Sequence, residues 1–173
     1  VDNLKVLIPR QQICERIADL AQQIREDYCG KNLLLIGILK GSFVFLSDLI
    51  RVLGIPLEID FIWISSYGSE KESSGKIKVV HDLTIPIADR DILVIEDIVD
   101  TGLSLNSLLD RLSQEKPASI RLCALLDKPS RRKTPIHIDY LGFTIPDKFV
   151  LGYGLDFDEK YRYLPDICYL EEE

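Results

Sequence analysis

The chain has 173 residues, 46% hydrophobic and 28% charged, the balance of a soluble globular protein of one domain over residues 1–173. A formal net charge of −7 argues against a nucleic-acid partner, which needs a basic face. No apolar run is long enough to span a bilayer, and the start VDNLKVLIPR lacks the pattern of a signal peptide, so a cytoplasmic chain with no membrane partner is expected.

Ile13, Ile17, Leu20, Ala21, Ile24 and Tyr28 recur at helical spacing and predict an amphipathic helix over residues 10–29, ended by Gly30. LLLIGIL, from Leu33 to Leu39, is a continuous apolar run of strand length, expected of a strand buried on both faces. KGS then leads into FVFLSDLIRVL, a second helix stopped by Gly54. LEIDFIWISS alternates as a strand. SYGSEKESSGKIK, from Ser66 to Lys78, is polar and rich in Gly and Ser, and reads as a mobile loop rather than a domain linker.

DILVIED is the expected central strand. SLNSLLDRLSQ puts Leu105, Leu108, Leu109 and Leu112 on one helical face. SIRLCALLDK is a further strand, and IHIDYLGFTI and DICYL are late strands among turns. Strands alternating with helices imply a mostly parallel twisted sheet flanked by helices on both faces. Ligands in such sheets bind beyond the carboxyl ends of the strands. The strand ends at Leu39-Lys40-Gly41, Glu96-Asp97 and Asp127-Lys128 should therefore share one edge. Cys14, Cys29, Cys123 and Cys168 form no CxxC pair, three of them sit among apolar neighbours, and reduced core thiols are expected. His81 and His137 stand apart from them, which argues against zinc.

DILVIEDIVDTGLS, from Asp91 to Ser104, carries the chemistry. It runs from a buried strand into a helix start. Asp100, Thr101 and Ser104 flank Gly102, where free N–H groups and hydroxyls could hold an anion. Ordinary capping by Asp100 or Thr101 is the plainer alternative. Glu96 and Asp97 are adjacent carboxylates at a buried strand end, and must be solvated, paired or ligand-bound. Beside a phosphate turn, their natural targets are hydroxyls or a cation. A sugar phosphate satisfies both.

VIEDIVDTGLS resembles the phosphoribosyl pyrophosphate signature of type I phosphoribosyltransferases. LKGS (Leu39 to Ser42) resembles their pyrophosphate loop, and SSYGS (Ser65 to Ser69) the start of their flexible catalytic loop. IPDKFVLGYGLDFDEKYR (Ile145 to Arg162) resembles the purine-binding segment of the hypoxanthine (hypoxanthine-guanine) branch. The resemblance covers about residues 4–170. It implies the type I fold, with a catalytic loop at about 66–78 and a small hood from the terminal segments, mainly residues 145–170. It also implies magnesium-dependent transfer of phosphoribosyl from its pyrophosphate donor to a 6-oxopurine, by a homodimer or homotetramer.

Residue by residue, the resemblance gives Glu96 and Asp97 the ribose hydroxyls and, with Asp156, the metal. Asp100 becomes the acid/base for the purine's ring proton. Asp100, Thr101, Gly102, Leu103 and Ser104 hold the 5-phosphate, with Leu103 and Ser104 standing where some relatives have Lys and Thr. Lys40, Gly41 and Arg162 meet the pyrophosphate, and a cis peptide often precedes that lysine. Ser66 and Tyr67 close over the reacting centre. Lys128 reads the exocyclic oxygen, Phe149 stacks on the base, the Val150 backbone meets its edge and Asp156 helps fix it. Arg131 and Arg132 lie near a basic position of relatives, with solvated side chains as the alternative. A nucleotide-binding regulator of the same fold, or an enzyme for another nucleobase, is the competing function.

Overall fold

The structure is a computed structural model and describes residues 3–66 and 77–171. In chain order the elements are β1 (Leu4–Ile8), α1 (Arg10–Asp27), β2 (Leu33–Leu39), α2 (Phe43–Leu53), β3 (Glu58–Ser66), β4 (Ile77–His81), β5 (Asp91–Val99), α3 (Leu103–Gln114), β6 (Ser119–Asp127), β7 (Tyr140–Thr144), β8 (Val150–Leu151) and β9 (Ile167–Leu170). The six-stranded sheet has the order β4-β3-β2-β5-β6-β7. Its strands run parallel except β4, which pairs antiparallel with β3 at the edge. No described helix is long and apolar enough to cross a membrane.

The apolar runs explain the layering. Along β2, Leu33 and Leu35 enter one core while Leu34, Ile36 and Ile38 enter the other. In β5, Leu93 and Ile95 face the first core, and Ile92 and Val94 the second. A run that looks featureless in sequence is thus sorted by the period of two, because each face meets a helical layer. Helix α1, through Ile13, Ile17, Leu20, Ala21 and Ile24, and α2, through Phe45, Leu46, Leu49 and Leu53, cover one face. On the other, α3 packs through Leu105, Leu108 and Leu112.

A second, three-stranded sheet of order β1-β9-β8 joins the two ends of the chain. It is the expected hood, and it includes a strand, β1, that the sequence pattern did not reveal. Its five residues alternate poorly and only Ile8 is buried. The Tyr153 hydroxyl donates to Asp48 Oδ2 at 2.5 Å and ties the hood to α2.

Some expectations change. Two of the four cysteines, Cys14 and Cys29, are exposed; Cys123 and Cys168 are buried, and all four are free thiols. Cys14 directly follows the buried Ile13 and so turns to the outer face of α1. Residues 77 and 78, expected in the mobile loop, belong to β4. The other residues of that loop, Tyr67 included, lie outside the described residues, and Ser66 ends β3. The strand expected over IHIDYLGFTI begins only at Tyr140.

One buried carboxylate organises the return from β4 to β5. Asp60 is 7% exposed and accepts from the N–H groups of Thr84 (2.7 Å), Ile85 (2.8 Å) and Phe61 (2.8 Å). Burial pushes its pKa up, but those donors outweigh burial and hold it below the ordinary value. Asp60→Ala leaves these donors without their acceptor and should cost about 2–4 kcal/mol in a urea titration at pH 7. A depressed pKa means the stabilisation is present above the unfolded value and is lost as pH falls through the folded one. The gap between parent and variant should therefore shrink below about pH 4, the ordinary aspartate range.

Candidate active site

In the six-stranded sheet, the chain leaves β2 towards β3 on one side and reaches β5 on the other. The carboxyl ends of β2 and β5 therefore border the crevice at a topological switch point, where open α/β sheets bind ligands. Lys40 and Gly41 follow β2, and Glu96 and Asp97 lie near the end of β5. The two ends touch. A Cβ on Gly41 would stand 1.7 Å from Asp97 Oδ2, so the carboxylate occupies the space a side chain would need. The peptide between Leu39 and Lys40 is cis.

Glu96 and Asp97 are bent back on their own backbone. Glu96 Oε1 accepts from Asp97 N at 3.1 Å, and Asp97 Oδ1 accepts from Ile98 N at 3.0 Å. Burial, then the neighbouring Asp97 charge, pushes the Glu96 pKa well above its ordinary value.

The next turn is not closed by side-chain capping. Gly102, at φ +81°, is the N-cap of α3, and no cap hydrogen bond comes from a side chain. Thr101 Oγ1 accepts only a long contact from Leu103 N, at 3.4 Å. Asp100 Oδ1 is a buried atom without a hydrogen bond, with Arg131 Nε 3.6 Å away. A cleft of about 170 Å³ is lined by Glu96, Ile98, Val99, Asp100, Thr101, Gly102, Ser104 and Leu105. It collects most of the expected phosphoribosyl residues; Asp97 and Leu103 flank it.

Strand β6 lies beside β5, with Val99 opposite Asp127. Lys128 follows at once. Its side chain is 5% exposed, and Nζ donates to the Lys148 carbonyl at 2.7 Å. This ammonium thus joins the sheet edge to the segment carrying Phe149 and Val150. Phe149 is 56% exposed, so it is no core residue, and it meets Phe157 edge to face at 5.6 Å. Val150 is buried.

The hood closes the crevice from above. Arg162 donates to the Gly154 carbonyl at 2.8 Å and pairs with Asp156 at 2.9 Å and Glu159 at 3.3 Å. Glu159 also pairs with Lys40 Nζ at 2.9 Å, and that ammonium stands 5.4 Å from the Trp63 ring centre. Hydrogen bonds from Lys40 first, then Arg162, hold the Glu159 pKa below its ordinary value. Gly154 fits against the β2 loop because it lacks a Cβ, which would come within 2.4 Å of the Gly41 carbonyl.

These contacts bring Lys40, Gly41, Asp97, Asp156 and Arg162 into one network. Sequence reading missed Glu159, although it lies three residues before Arg162 in the quoted segment. Tyr153, Asp158, Glu159 and Tyr161 all have φ between 51° and 71°, a conformation no residue pattern announces and one that clusters at functional sites.

The phosphoribosyl transferase domain model matches residues 7–158. The hypoxanthine phosphoribosyltransferase of Salmonella typhimurium is 43% identical over 164 residues, 94% of this chain and 92% of that one. The chain belongs to the hypoxanthine phosphoribosyltransferase family. A solved family structure, from Staphylococcus aureus, superposes with a TM-score of 0.95 at 44% identity, covering 98% of this chain and 93% of that one. The bifunctional TilS/HprT protein of Listeria monocytogenes is 44% identical over 172 residues, and the chain spans 26% of its length. The family fold is thus the one found here, a mostly parallel sheet under a small hood.

Glu96 is a proton acceptor on folding. Between its ordinary pKa of 4.5 and its raised value the folded state holds the extra proton, so its contribution to stability falls as pH rises through that window. Glu96→Gln should raise Tm at pH 8, by roughly 2–4 °C per kcal/mol of relieved repulsion. The gain should vanish near pH 4.5, where the parent also carries the proton. A lower Tm at pH 8 would refute the assignment.

Proposed function

We propose that this protein is a purine salvage enzyme. It transfers phosphoribosyl from 5-phosphoribosyl 1-pyrophosphate to hypoxanthine or guanine, giving IMP or GMP and pyrophosphate. The observation that carries this is the shared edge of β2, β5 and β6, where the Asp100–Ser104 turn, the Glu96–Asp97 pair and the buried Lys128 lie at neighbouring strand ends. The names of the relatives point the same way.

In this scheme the 5-phosphate sits on the Asp100–Ser104 turn, and Glu96 and Asp97 accept from the ribose hydroxyls. The bond from C1 to the pyrophosphate oxygen breaks, and its electron pair leaves with pyrophosphate. A purine ring nitrogen bonds to C1, through an oxocarbenium-like transition state. The purine's ring proton goes to Asp100, whose Oδ1 has no hydrogen bond of its own. Lys40 and Arg162 neutralise the leaving group. Both are paired with Glu159, so the incoming anion exchanges places with that carboxylate.

Lys128 donates to the exocyclic oxygen of the base, and Phe149 covers its face. An ammonium has no acceptor to offer adenine's amino group.

The donor set suits magnesium. Its carboxylates come in ones and twos, Asp156 and the Glu96–Asp97 pair, and no described cluster of three or more ligating side chains forms a cage. Magnesium is held in that way, by one or two carboxylates together with substrate phosphates and water. Asp156 from the hood, or the Glu96–Asp97 pair from β5, would hold it together with substrate oxygens, and it would supply charge to the leaving pyrophosphate. The four free thiols suit a reducing cytoplasm. Exposed Phe43 and Tyr163 line a hollow of about 540 Å³ beside α2, a surface suited to a homodimer or homotetramer contact.

The direct test mixes the donor with each nucleobase in turn. Nucleotide should form from hypoxanthine and guanine and not from adenine; no product from either oxopurine would overturn the proposal. Asp100→Asn should lower turnover by about a hundredfold or more, with donor binding largely kept. Lys128→Ala should lower kcat/KM for both oxopurines by about ten- to a hundredfold while adenine stays poor. Parental use of hypoxanthine by that variant would remove Lys128 from base recognition.

A further inference from the structure

Three consecutive carbonyls at the end of β5 are turned away from the cleft. Val99 O accepts from Lys128 N at 3.0 Å and from Arg132 Nη2 at 3.2 Å. Asp100 O accepts from Arg132 Nε at 2.9 Å. Thr101 O accepts from Lys133 N at 2.9 Å and Thr134 N at 3.3 Å. In a trans peptide the carbonyl and the following N–H point in opposite directions. Anchoring these carbonyls on residues 128–134 therefore aims the N–H groups of Asp100, Thr101 and Gly102 the other way. None of those N–H groups has an acceptor among the described residues. The same three residues line the 170 Å³ cleft. Successive N–H groups facing one concavity form an anion nest.

Of the described donors that hold these carbonyls, Arg132 alone acts through its side chain. Its side chain is 16% exposed, and its guanidinium pairs with the Asp127 carboxylate. A Cβ on Gly102 would come within 3.1 Å of Arg132 Cδ, so the turn rests directly on the arginine stem. The side chain of its neighbour Arg131 is 52% exposed and, among the described residues, pairs with the Asp100 carboxylate alone.

We propose that Arg132 is a positioning residue for the phosphate turn. It fixes the Val99 and Asp100 carbonyls so that the Asp100 and Thr101 N–H groups face a phosphate monoester. The proposal rests on the phosphoribosyltransferase function above and explains what orients its anion site. A planar fork can hold two carbonyls and a carboxylate at once; a lysine ammonium at the same place keeps the charge and loses that geometry.

The test compares IMP with inosine, which differ only by the 5-phosphate, by calorimetric titration of the parent, Arg132→Lys and Arg132→Gln. Both variants should lose about tenfold or more of the preference for IMP, the size of a lost charge-assisted hydrogen bond, with inosine affinity nearly unchanged. An unchanged preference overturns the proposal, as does an equal loss of both ligands, which marks general damage. Should the arginine variants not fold, Asp127→Asn serves, since it keeps Arg132 and removes the charge that orients it. The preference should fall by a smaller factor, and a parental ratio overturns the proposal. A parent protein without any preference for IMP overturns the phosphoribosyltransferase function and this proposal together. A parental preference that survives the variants overturns this proposal alone.

Discussion

Parallel hydrogen bonding between β2 and β5 brings their carboxyl ends out side by side, and the Gly41–Asp97 contact follows from that pairing. A side chain at position 41 would displace the carboxylate, and a slipped register would carry the acids away from the β2 loop. The pairing is specified by two cores. Leu33 and Leu35 with Leu93 and Ile95 fill one, while Leu34 and Ile36 with Ile92 and Val94 fill the other. A one-residue slip would exchange the faces of a whole strand. Packing far from the crevice thereby fixes which polar groups meet in it.

Around that pairing the charges separate into two sets. The acids of β5 lie beneath, crowded enough to raise Glu96's affinity for a proton. The cations Lys40 and Arg162 lie under the hood, already satisfied by Glu159 and Asp156. A polyanionic sugar phosphate suits such a division, with hydroxyls towards the acids and phosphoryl oxygens towards the cations and the N–H turn. Lys128 spans both, because its backbone N–H holds Val99 O while its ammonium reaches the Lys148 carbonyl.

Much of this was legible in the residues. The apolar run of Leu33 to Leu39 and Gly54 at φ +60° bound β2 and α2 where the pattern placed them, since a buried strand and a helix stop are local signals. The acid pair and the Thr-Gly turn were legible because carboxylates at a buried strand end demand partners. What stayed hidden depends on distant chain. β1 is a strand only because β9 pairs with it, from Leu4 opposite Leu170 to Ile8 opposite Ile167. Capping of α3 is weak although the residue types invited it: Thr101 Oγ1 reaches the Leu103 N–H only at 3.4 Å, and the carbonyls of that turn are held by residues 128–134. Glu159 carried no signal of its own, because its place depends on the hood that folds it onto Lys40.

That internal carboxylate bears on how the crevice meets its ligand in salt. A bare pair of cations would attract a pyrophosphate group over about a Debye length, and its affinity would fall steeply as ionic strength rose. Here the cations are neutralised beforehand, in a chain whose net charge is −7. Capture of an anion becomes an exchange, one ion pair broken for each one made. Screening weakens both sides of an exchange, so much of its effect cancels. In the proposed scheme, Glu159 thus trades long-range attraction for an affinity buffered against the ionic strength of its surroundings.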